Sequence, residues 1–294
     1  GLARVRQLKG ALKRALPGPA VDALRMLRRA PESLAVANLR RRHDRLNVDL
    51  EPGTLRLRPG LTLHVEPVAR KGFEAYCWWW PEMVRELDCF LALSRSKTTL
   101  IDVGALHGLF SLAFTHDRPG VRAVAVEPEP NACEVIEAHL RTNALANVVL
   151  AKVAVGAQAG AIPMMLRGPH LEAVSDLEMR SSAGDVLAIA STTVDELWQD
   201  LDFHPDMVKI DVEGYEFHVL RGSERVLRED RPDIMLELHP QQIAQLGGSV
   251  ADLVAYLADL GYRFRDLRGR AISRRRLQQD GRWAHIVCSA GDRR

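Results

Sequence analysis

The sequence contains few cysteines, and they are not paired. Its 294 residues include four cysteines, and no two of them form a CxxC motif. This spacing offers neither a disulfide framework nor a cysteine-based zinc site, so it predicts a reduced, cytoplasmic protein.

Long apolar runs are absent as well. No stretch approaches the roughly 18 to 20 apolar residues that span a bilayer. The basic start of the chain also lacks the continuous apolar core of a secretory signal. We therefore expect no membrane span.

Two glycine signatures of nucleotide binding are also missing. The chain has no GxGxxG motif and no Gly-Lys-Ser/Thr motif. A loop that cradles phosphates is therefore disfavoured, and an NAD-dependent oxidoreductase with it.

A net charge of +2 conceals two basic ends. Residues 1–45 contain 12 Lys or Arg against 3 acidic residues, and residues 263–294 contain 10 against 3. Such ends suit nucleic acid, anionic lipid or an acidic glycan. We interpret them as solvated surfaces and do not expect nucleic acid as a partner, although RNA binding stays open as an alternative.

From residue 98 onward, short apolar strands alternate with helical stretches. This order predicts an α/β fold with a parallel sheet covered by helices on both faces. The last two strand-like runs, "YRFRDL" and "RWAHIVCSA", have no predicted helix between them, which predicts an antiparallel closing edge. Residues 156–190 are the least regular part and predict an insertion over the sheet face.

The residues before this domain have a different pattern. Residues 1–46 show helical spacing, and "TLRLRPGLTLHV" alternates apolar and polar residues around a Pro-Gly pair, which predicts a β-hairpin. We therefore divide the chain into an N-terminal helical and β-hairpin extension, 1–75, and a main domain, 76–294. We expect the extension to cap the substrate or to pair with a second subunit in a homo-oligomer.

The stretch "LIDVGALHGLFSLAF", residues 100–114, is the predicted ligand loop. Parallel sheets bind ligands beyond the carboxyl ends of their strands, where Asp102, Gly104 and Gly108 fall. Glycine lets the backbone approach a ligand, and the N–H groups of the next helix face an anionic group. Glu127 ends the next strand and suits the two hydroxyls of an unphosphorylated ribose. These features predict a site for a nucleoside with an amino-acid tail, which is the description of S-adenosylmethionine (SAM).

Polar residues also end two later strands. "KIDVEGYE" and "LELHP" place Asp211, Glu213, Glu237 and His239 at one rim of the sheet. A hydroxyl acceptor of a methyl group needs a base or a divalent cation that lowers its pKa. Asp211, Glu237 and His239 are candidate ligands for Mg²⁺, and His239 acting alone as the base is the alternative. His107, inside the glycine turn, is a further candidate for contact with the acceptor.

The chain resembles the FkbM family of SAM-dependent methyltransferases over roughly residues 98–240. The run "KIDVEGxE…VLRG" is the most specific part of this resemblance. The matching stretches, in the family's order, are "LIDVGALHGLFSLAF", "VAVEPEPNACEVIEAHLRTN", "NVVLAKVAVG", "TTVDELW", "VKIDVEGYEFHVLRGSERVL" and "RPDIMLELHP".

The resemblance implies a class I Rossmann-like methyltransferase sheet of seven strands, with the last one antiparallel. It also implies SAM as the cofactor and O-methylation of a saccharide or another small natural product. By position it implies a loop for the methionine end at Asp102, Gly104, Ala105 and Gly108, ribose contact at Glu127, adenine near Val153 and Ala154, and a transfer site at Asp211, Glu213, Glu237 and His239.

One residue departs from the family pattern. Leu106 stands where the family usually has Asn, which implies a specialised acceptor or a weakened enzyme. We favour the specialised acceptor because the later motifs are intact. A methyltransferase of RNA or protein and a non-catalytic SAM-binding protein remain alternatives. The expected partner is a small-molecule or oligosaccharide substrate, with contacts from the N-terminal extension, the 156–190 insertion and the tryptophan cluster, Trp78, Trp79 and Trp80.

Overall fold

The computed structural model describes residue 41 and residues 50–167, 170–175, 186–279 and 284–291. The helices predicted within residues 1–46 therefore lie outside the described residues, apart from residue 41. No helix within the described ranges is both long and apolar enough to cross a bilayer.

The described residues form strands and helices that alternate through most of the chain. The strands are β1 (Thr54–Arg58), β2 (Leu61–His64), β3 (Thr99–Val103), β4 (Arg122–Val126), β5 (Val148–Ala151), β6 (Ala154–Val155), β7 (Gly160–Arg167), β8 (His170–Ala173), β9 (Leu187–Thr192), β10 (Met207–Ile210), β11 (Asp233–Leu238), β12 (Tyr262–Asp266), β13 (Ala271–Ile272) and β14 (Ala284–Ala290). The helices are α1 (Pro67–Glu74), α2 (Pro81–Ser94), α3 (Leu109–Thr115), α4 (Pro130–Thr142), α5 (Val194–Asp200), α6 (Glu216–Arg221), α7 (Glu224–Glu229), α8 (Pro240–Gln245), α9 (Val250–Asp259) and α10 (Arg274–Gln279), and a π-helical turn, Ala75–Trp79, joins α1 to α2.

The main sheet confirms the predicted α/β class. Its order is β13-β12-β14-β11-β10-β3-β4-β5, and the five strands from β11 to β5 are parallel. The last strand, β14, pairs antiparallel with both β11 and β12. The predicted count of seven strands is not confirmed, because the two-residue strand β13 adds an eighth at the edge.

The predicted antiparallel pairing of the last two strand-like runs is confirmed, since β14 pairs antiparallel with β12 and lies between it and β11. One detail is wrong, because a short helix, α10, separates β12 from β14 in the chain. Its sequence, "RRRLQQ", offers a single apolar residue, Leu277, so helical periodicity gives almost no signal there.

Side-chain alternation divides the core between the two faces of the sheet. Ile101 and Val208 belong to a buried cluster with helices α5 to α10, whereas Leu100 and Met207 belong to a cluster with α2, α3 and the β-hairpin. A sheet covered on both faces requires strands that are apolar on both sides, and β10 is buried at all four residues. Charged residues on such strands therefore need specific partners.

The predicted β-hairpin is confirmed, and it packs on the main sheet. Strands β1 and β2 pair antiparallel, and Leu55, Leu57 and Leu63 are each at most 1% exposed. These leucines share one cluster with Phe90 of α2 and Phe110 of α3. The hairpin thus closes one face of the sheet.

Part of the predicted insertion, residues 156–190, is regular rather than irregular. Strands β6 to β9 form a second sheet in the order β6-β9-β7-β8. The run "VVLAKVAVG" is therefore divided between β5 in the main sheet and β6 in the second one. Residues 168–169 and 176–185 of this segment lie outside the described residues.

Candidate functional site

The turn after β3 contains three residues with positive φ, and a close backbone contact requires glycine at one of them. Gly104 has φ of 80°, and a Cβ there would lie 1.9 Å from the carbonyl oxygen of Asp211. Gly108 has φ of 83° and immediately precedes α3. Leu106, between them, has φ of 48°, in the left-handed region that leucine rarely adopts. The turn is therefore pressed against the end of β10 and held in a costly conformation.

Asp102 lies behind the turn rather than in the cleft. Its side chain is fully buried, and its Oδ2 accepts hydrogen bonds from the Ser111 backbone N–H (3.1 Å) and hydroxyl (2.8 Å). Burial raises the pKa of Asp102, and Lys209 and Ser111 oppose that shift. These contacts fasten the first turn of α3 to β3, so Asp102 supports the loop from below.

Glu127 joins the ends of β4 and β3. Its Oε2 accepts a hydrogen bond from the Leu106 N–H at 2.8 Å, and its Oε1 accepts one from the Glu129 N–H at 2.9 Å. Burial raises the pKa of Glu127 to about 7, although these two hydrogen bonds oppose the shift. The carboxyl lines the cleft, where it is suited to accept hydrogen bonds from ligand hydroxyls.

His139 anchors the turn from outside and was not identified from the sequence. It is fully buried in α4. Its Nδ1 is 2.9 Å from the His107 carbonyl oxygen, and its Nε2 accepts the Glu66 N–H at 2.9 Å. Because Nε2 accepts, Nδ1 carries the proton and the ring is neutral, and burial lowers the pKa of His139 accordingly. The imidazole thus ties the glycine turn to the segment before α1.

An open cleft lies beyond the carboxyl ends of β3, β4 and β10. The space between its walls is about 710 Å³, with the open mouth included. The second sheet supplies one apolar wall through Ile162, Met164 and Leu171. The predicted site residues that line this cleft are Gly104, Glu127, Val153, Ala154, Asp211 and Glu213, and Leu106 lines it as well.

The remaining predicted residues lie around the cleft without lining it. Asp102, Ala105 and Gly108 shape the turn. The backbone of His107 meets His139. Glu237 and His239 lie deeper, in a buried ionic network.

Asp211 lies where the cleft meets this network. Its Oδ2 is 3.2 Å from Nζ of Lys209, which is 2% exposed and lies 4.3 Å from the centre of the Phe110 ring. Burial raises the pKa of Asp211 well above that of an ordinary aspartate, although Lys209 opposes the shift. Among the described carboxyls that line the cleft, Asp211 has a direct ion pair with a buried ammonium.

His239 is surrounded by carboxylates. Its Nδ1 is 2.6 Å from Glu216 Oε1, and its Nε2 is 3.3 Å from Glu237 Oε1 and 3.4 Å from Glu213 Oε2. Burial alone would lower its pKa, but Glu216 and Glu237 outweigh it and raise the pKa of His239 to about 11. The imidazole therefore holds a proton on each nitrogen at neutral pH and acts as a donor.

Glu237 lies between two imidazoles of the network, those of His239 and His285. Burial alone would raise its pKa, but hydrogen bonds from His239 and His285 outweigh it and hold that pKa well below its usual range. His285 Nε2 is 3.1 Å from Glu237 Oε2, and the two residues face each other in the β11–β14 register. Glu237 is therefore ionised throughout the neutral range.

The sequence analysis missed four members of this network: Glu86, Lys209, Glu216 and His285. Lys209 carried a readable signal, because it is a lone charge in the apolar strand "MVKI". Glu86 and His285 lie in segments far apart in sequence and meet only through the fold.

The predicted metal ligands lie close together. One ligand atom from each of Asp211, Glu237 and His239 lies within 4.8 Å of the others. An ammonium already faces Asp211, and His239 must lose a proton before it binds a cation. Protonated side chains thus already neutralise these candidate ligands. Such a set of donors does not fit a resident Mg²⁺, and the mechanism does not include one.

Comparison with known proteins gives one family match and several distant structural ones. The family model described as the methyltransferase FkbM domain matches residues 102–264. A search among curated proteins finds no match.

Several solved structures resemble this chain at low sequence identity. Methyltransferase FkbM from Methylobacillus flagellatus KT is 18% identical with a TM-score of 0.45, over 74% of this chain and 52% of that one. Precorrin-6y C5,15-methyltransferase from Geobacter metallireducens GS-15 is 16% identical with a TM-score of 0.41, over 69% and 86%. The N-terminal domain of EvdMO1 with SAH bound is 17% identical with a TM-score of 0.39, over 70% and 79%. The chain thus spans about half the length of the Methylobacillus protein.

The matched range contains the glycine turn, Glu127 and both strand-end motifs, and it covers more than half of the chain. The chain therefore belongs to the FkbM methyltransferase family.

Proposed function

We propose that this protein is a SAM-dependent O-methyltransferase whose acceptor is a hydroxyl of a saccharide or a glycosylated small molecule. The observation that carries the proposal is the position of Asp211, which lines the same cleft as Glu127 and Gly104. A carboxyl with a raised pKa beside a nucleoside site is suited to general-base chemistry near neutral pH.

The cleft offers the contacts that a nucleoside with an amino-acid tail requires. Glu127 accepts the ribose hydroxyls, the apolar wall around Val153 and Ile162 covers the adenine, and the turn at Gly104 receives the methionine end. When bound, SAM supplies an electrophilic methyl group. Transfer of that methyl group to the acceptor oxygen would leave S-adenosylhomocysteine (SAH) as the second product.

Asp211 takes the proton from the acceptor hydroxyl in this mechanism. Its burial makes it a stronger base than an ordinary aspartate, and Lys209 keeps its carboxylate fixed at 3.2 Å. His239 is a protonated donor, so we assign it to orienting the carboxylates of Glu213 and Glu237 rather than to accepting the proton.

Two exposed tryptophans support a saccharide acceptor. Trp79 and Trp80 are 41% and 50% exposed, and Trp79 stacks on the buried Trp78 with ring centroids 4.4 Å apart. They lie immediately before α2, the helix whose Glu86 reaches the ionic network, and they do not themselves line the cleft. Aromatic faces with one wet side suit the apolar face of a sugar ring.

Incubation with methyl-labelled SAM and a panel of saccharides and glycosylated small molecules tests the proposal. We expect labelled product whose methyl lies on oxygen by NMR, and we expect Asp211→Asn to lower kcat by roughly 10²- to 10⁴-fold. Tight SAH binding without transfer to any hydroxyl would instead indicate a non-catalytic binding protein. Transfer to RNA or protein alone would reject the saccharide acceptor.

A further inference from the structure

Glu86 of helix α2 has a buried carboxylate with no role in the mechanism proposed for methyl transfer. Its side chain is 1% exposed, and its two oxygens lie against the side chains of Lys209 and His285. A buried carboxylate is costly unless charged or polar partners neutralise it. Its role must therefore lie with these two basic side chains.

Each of those basic side chains also pairs with a carboxylate at a strand end. Glu86 Oε1 is 3.7 Å from Nζ of Lys209, which is 3.2 Å from Asp211. Glu86 Oε2 is 3.0 Å from Nε2 of His285, which is 3.1 Å from Glu237. Glu86 is thus a shared counter-ion that bridges two ion pairs.

The bridge is held by packed elements rather than by loops. Lys209 is confined over the Phe110 ring, and the backbone of His285 is paired with that of Glu237. Neither Glu86 nor His285 lies within the matched range, residues 102–264. The flanking segments, α2 and β14, therefore complete the site.

We propose that Glu86 is a positioning residue for methyl transfer, which holds Lys209 and His285 in place and through them orients the carboxylates of Asp211 and Glu237 toward the acceptor. The assignment rests on the proposed function. Positioning matters because a displacement of about 1 Å at a reacting group costs on the order of 10²-fold in rate.

The test compares Glu86→Gln with Glu82→Gln, a change of the same kind one turn earlier on α2. Glu82 is half-buried and pairs with Arg85 at 2.8 Å, away from the network. We expect E86Q to lower kcat roughly 10- to 100-fold. We expect no change in the acceptor KM or in the Kd of SAH, because Glu86 does not line the cleft. E86D, which keeps the charge, restores part of kcat, and E82Q retains the wild-type kcat.

His285→Gln tests the same bridge from strand β14 and replaces E86Q if that variant does not fold. We expect it to lower kcat similarly, and the double variant to lose less than the product of the two single losses. Wild-type kcat in either folded single variant overturns the assignment. So does a loss of SAH binding with kcat unchanged, which would show a purely structural role.

Two further outcomes are decisive. If EDTA abolishes wild-type transfer and a divalent cation restores it, a metal ion rather than the protonated side chains neutralises the carboxylates of the network, and the assignment fails. If the wild type transfers no methyl group, the proposed function fails and the assignment with it. An active wild type with an equally active E86Q overturns the assignment alone.

Discussion

Leu106 holds a backbone conformation that costs a leucine about 1 to 2 kcal/mol and that asparagine or glycine adopts more readily. Its side chain lines the cleft, so contact with a bound ligand would offset the free energy of this strained conformation. We expect Leu106→Asn to raise the free energy of unfolding by about 1 kcal/mol and to weaken SAH binding. Denaturant unfolding and titration calorimetry measure the two effects.

Ala144 provides the matched control for that change. It has φ of 52° just after α4 and does not line the cleft. Ala144→Asn should give a comparable gain in stability with an unchanged Kd for SAH. A less stable Leu106→Asn variant would contradict the strain argument.

Glu127 makes stability depend on pH. Its pKa is raised from 4.5 to about 7, so its contribution to stability is fully present below pH 4.5 and is lost as the pH rises through 7. The difference corresponds to roughly 3 kcal/mol. Relative to Glu127→Gln, the wild type should lose about this much free energy of unfolding between pH 4.5 and pH 8.

We expect SAH binding to change with pH in the direction opposite to stability. The ionised carboxylate accepts ribose hydroxyls better, so we expect SAH affinity of the wild type to rise as the pH passes through 7, and that of Glu127→Gln to stay flat. Calorimetric titrations across this range measure it. Parallel curves for the two proteins would show that Glu127 is not the ribose contact.

At the scale of elements, one helix holds the glycine turn. His139 of α4 satisfies the carbonyl of His107 and the N–H of Glu66. A buried partner left without its hydrogen bond costs about 1 to 3 kcal/mol. We expect His139→Ala to lower the free energy of unfolding by about 3 kcal/mol and to weaken SAH binding, as measured by unfolding and calorimetry. His64→Ala, at an exposed position in β2, should change neither, and a stable His139→Ala would reject the anchor.

Whether a metal ion can bind depends on the polar residues at the ends of β10 and β11. Deprotonating His239, with its pKa of about 11, costs roughly 5 kcal/mol at pH 7 before it can bind a cation. We therefore expect EDTA treatment to leave kcat unchanged. Metal analysis of the purified protein is the control, and stoichiometric Mg²⁺ with EDTA-sensitive turnover would restore the metal site predicted from the sequence.

The glycine turn, Glu127 and the strand-end residues could be predicted from local sequence, because each belongs to a motif of a few consecutive residues. The second sheet was missed for a physical reason. Strand β7 contains Pro163, which argues against an inner strand, yet it pairs with β8 and β9 on both sides. Glu86 and His285 had no local signal at all, since their meeting depends on how α2 and β14 pack.

At the scale of the whole molecule, the β-hairpin of the N-terminal extension belongs to the core of the main domain. Leu63 of β2 is fully buried and shares a cluster with Phe110 of α3, the helix that follows the glycine turn. A boundary placed at residue 75 divides this cluster. We therefore expect the hairpin and the site to unfold together in one cooperative transition.

Leu63→Ala tests this coupling. Removing a fully buried leucine costs about 3 kcal/mol, and because the cluster is shared, the loss should appear in the single unfolding transition of the entire domain. Circular dichroism and tryptophan fluorescence should report the same lowered midpoint. Val68→Ala on α1, where the side chain is 65% exposed, should change stability by no more than about 0.5 kcal/mol. Two separate transitions in Leu63→Ala would show instead that the hairpin folds independently of the sheet it covers.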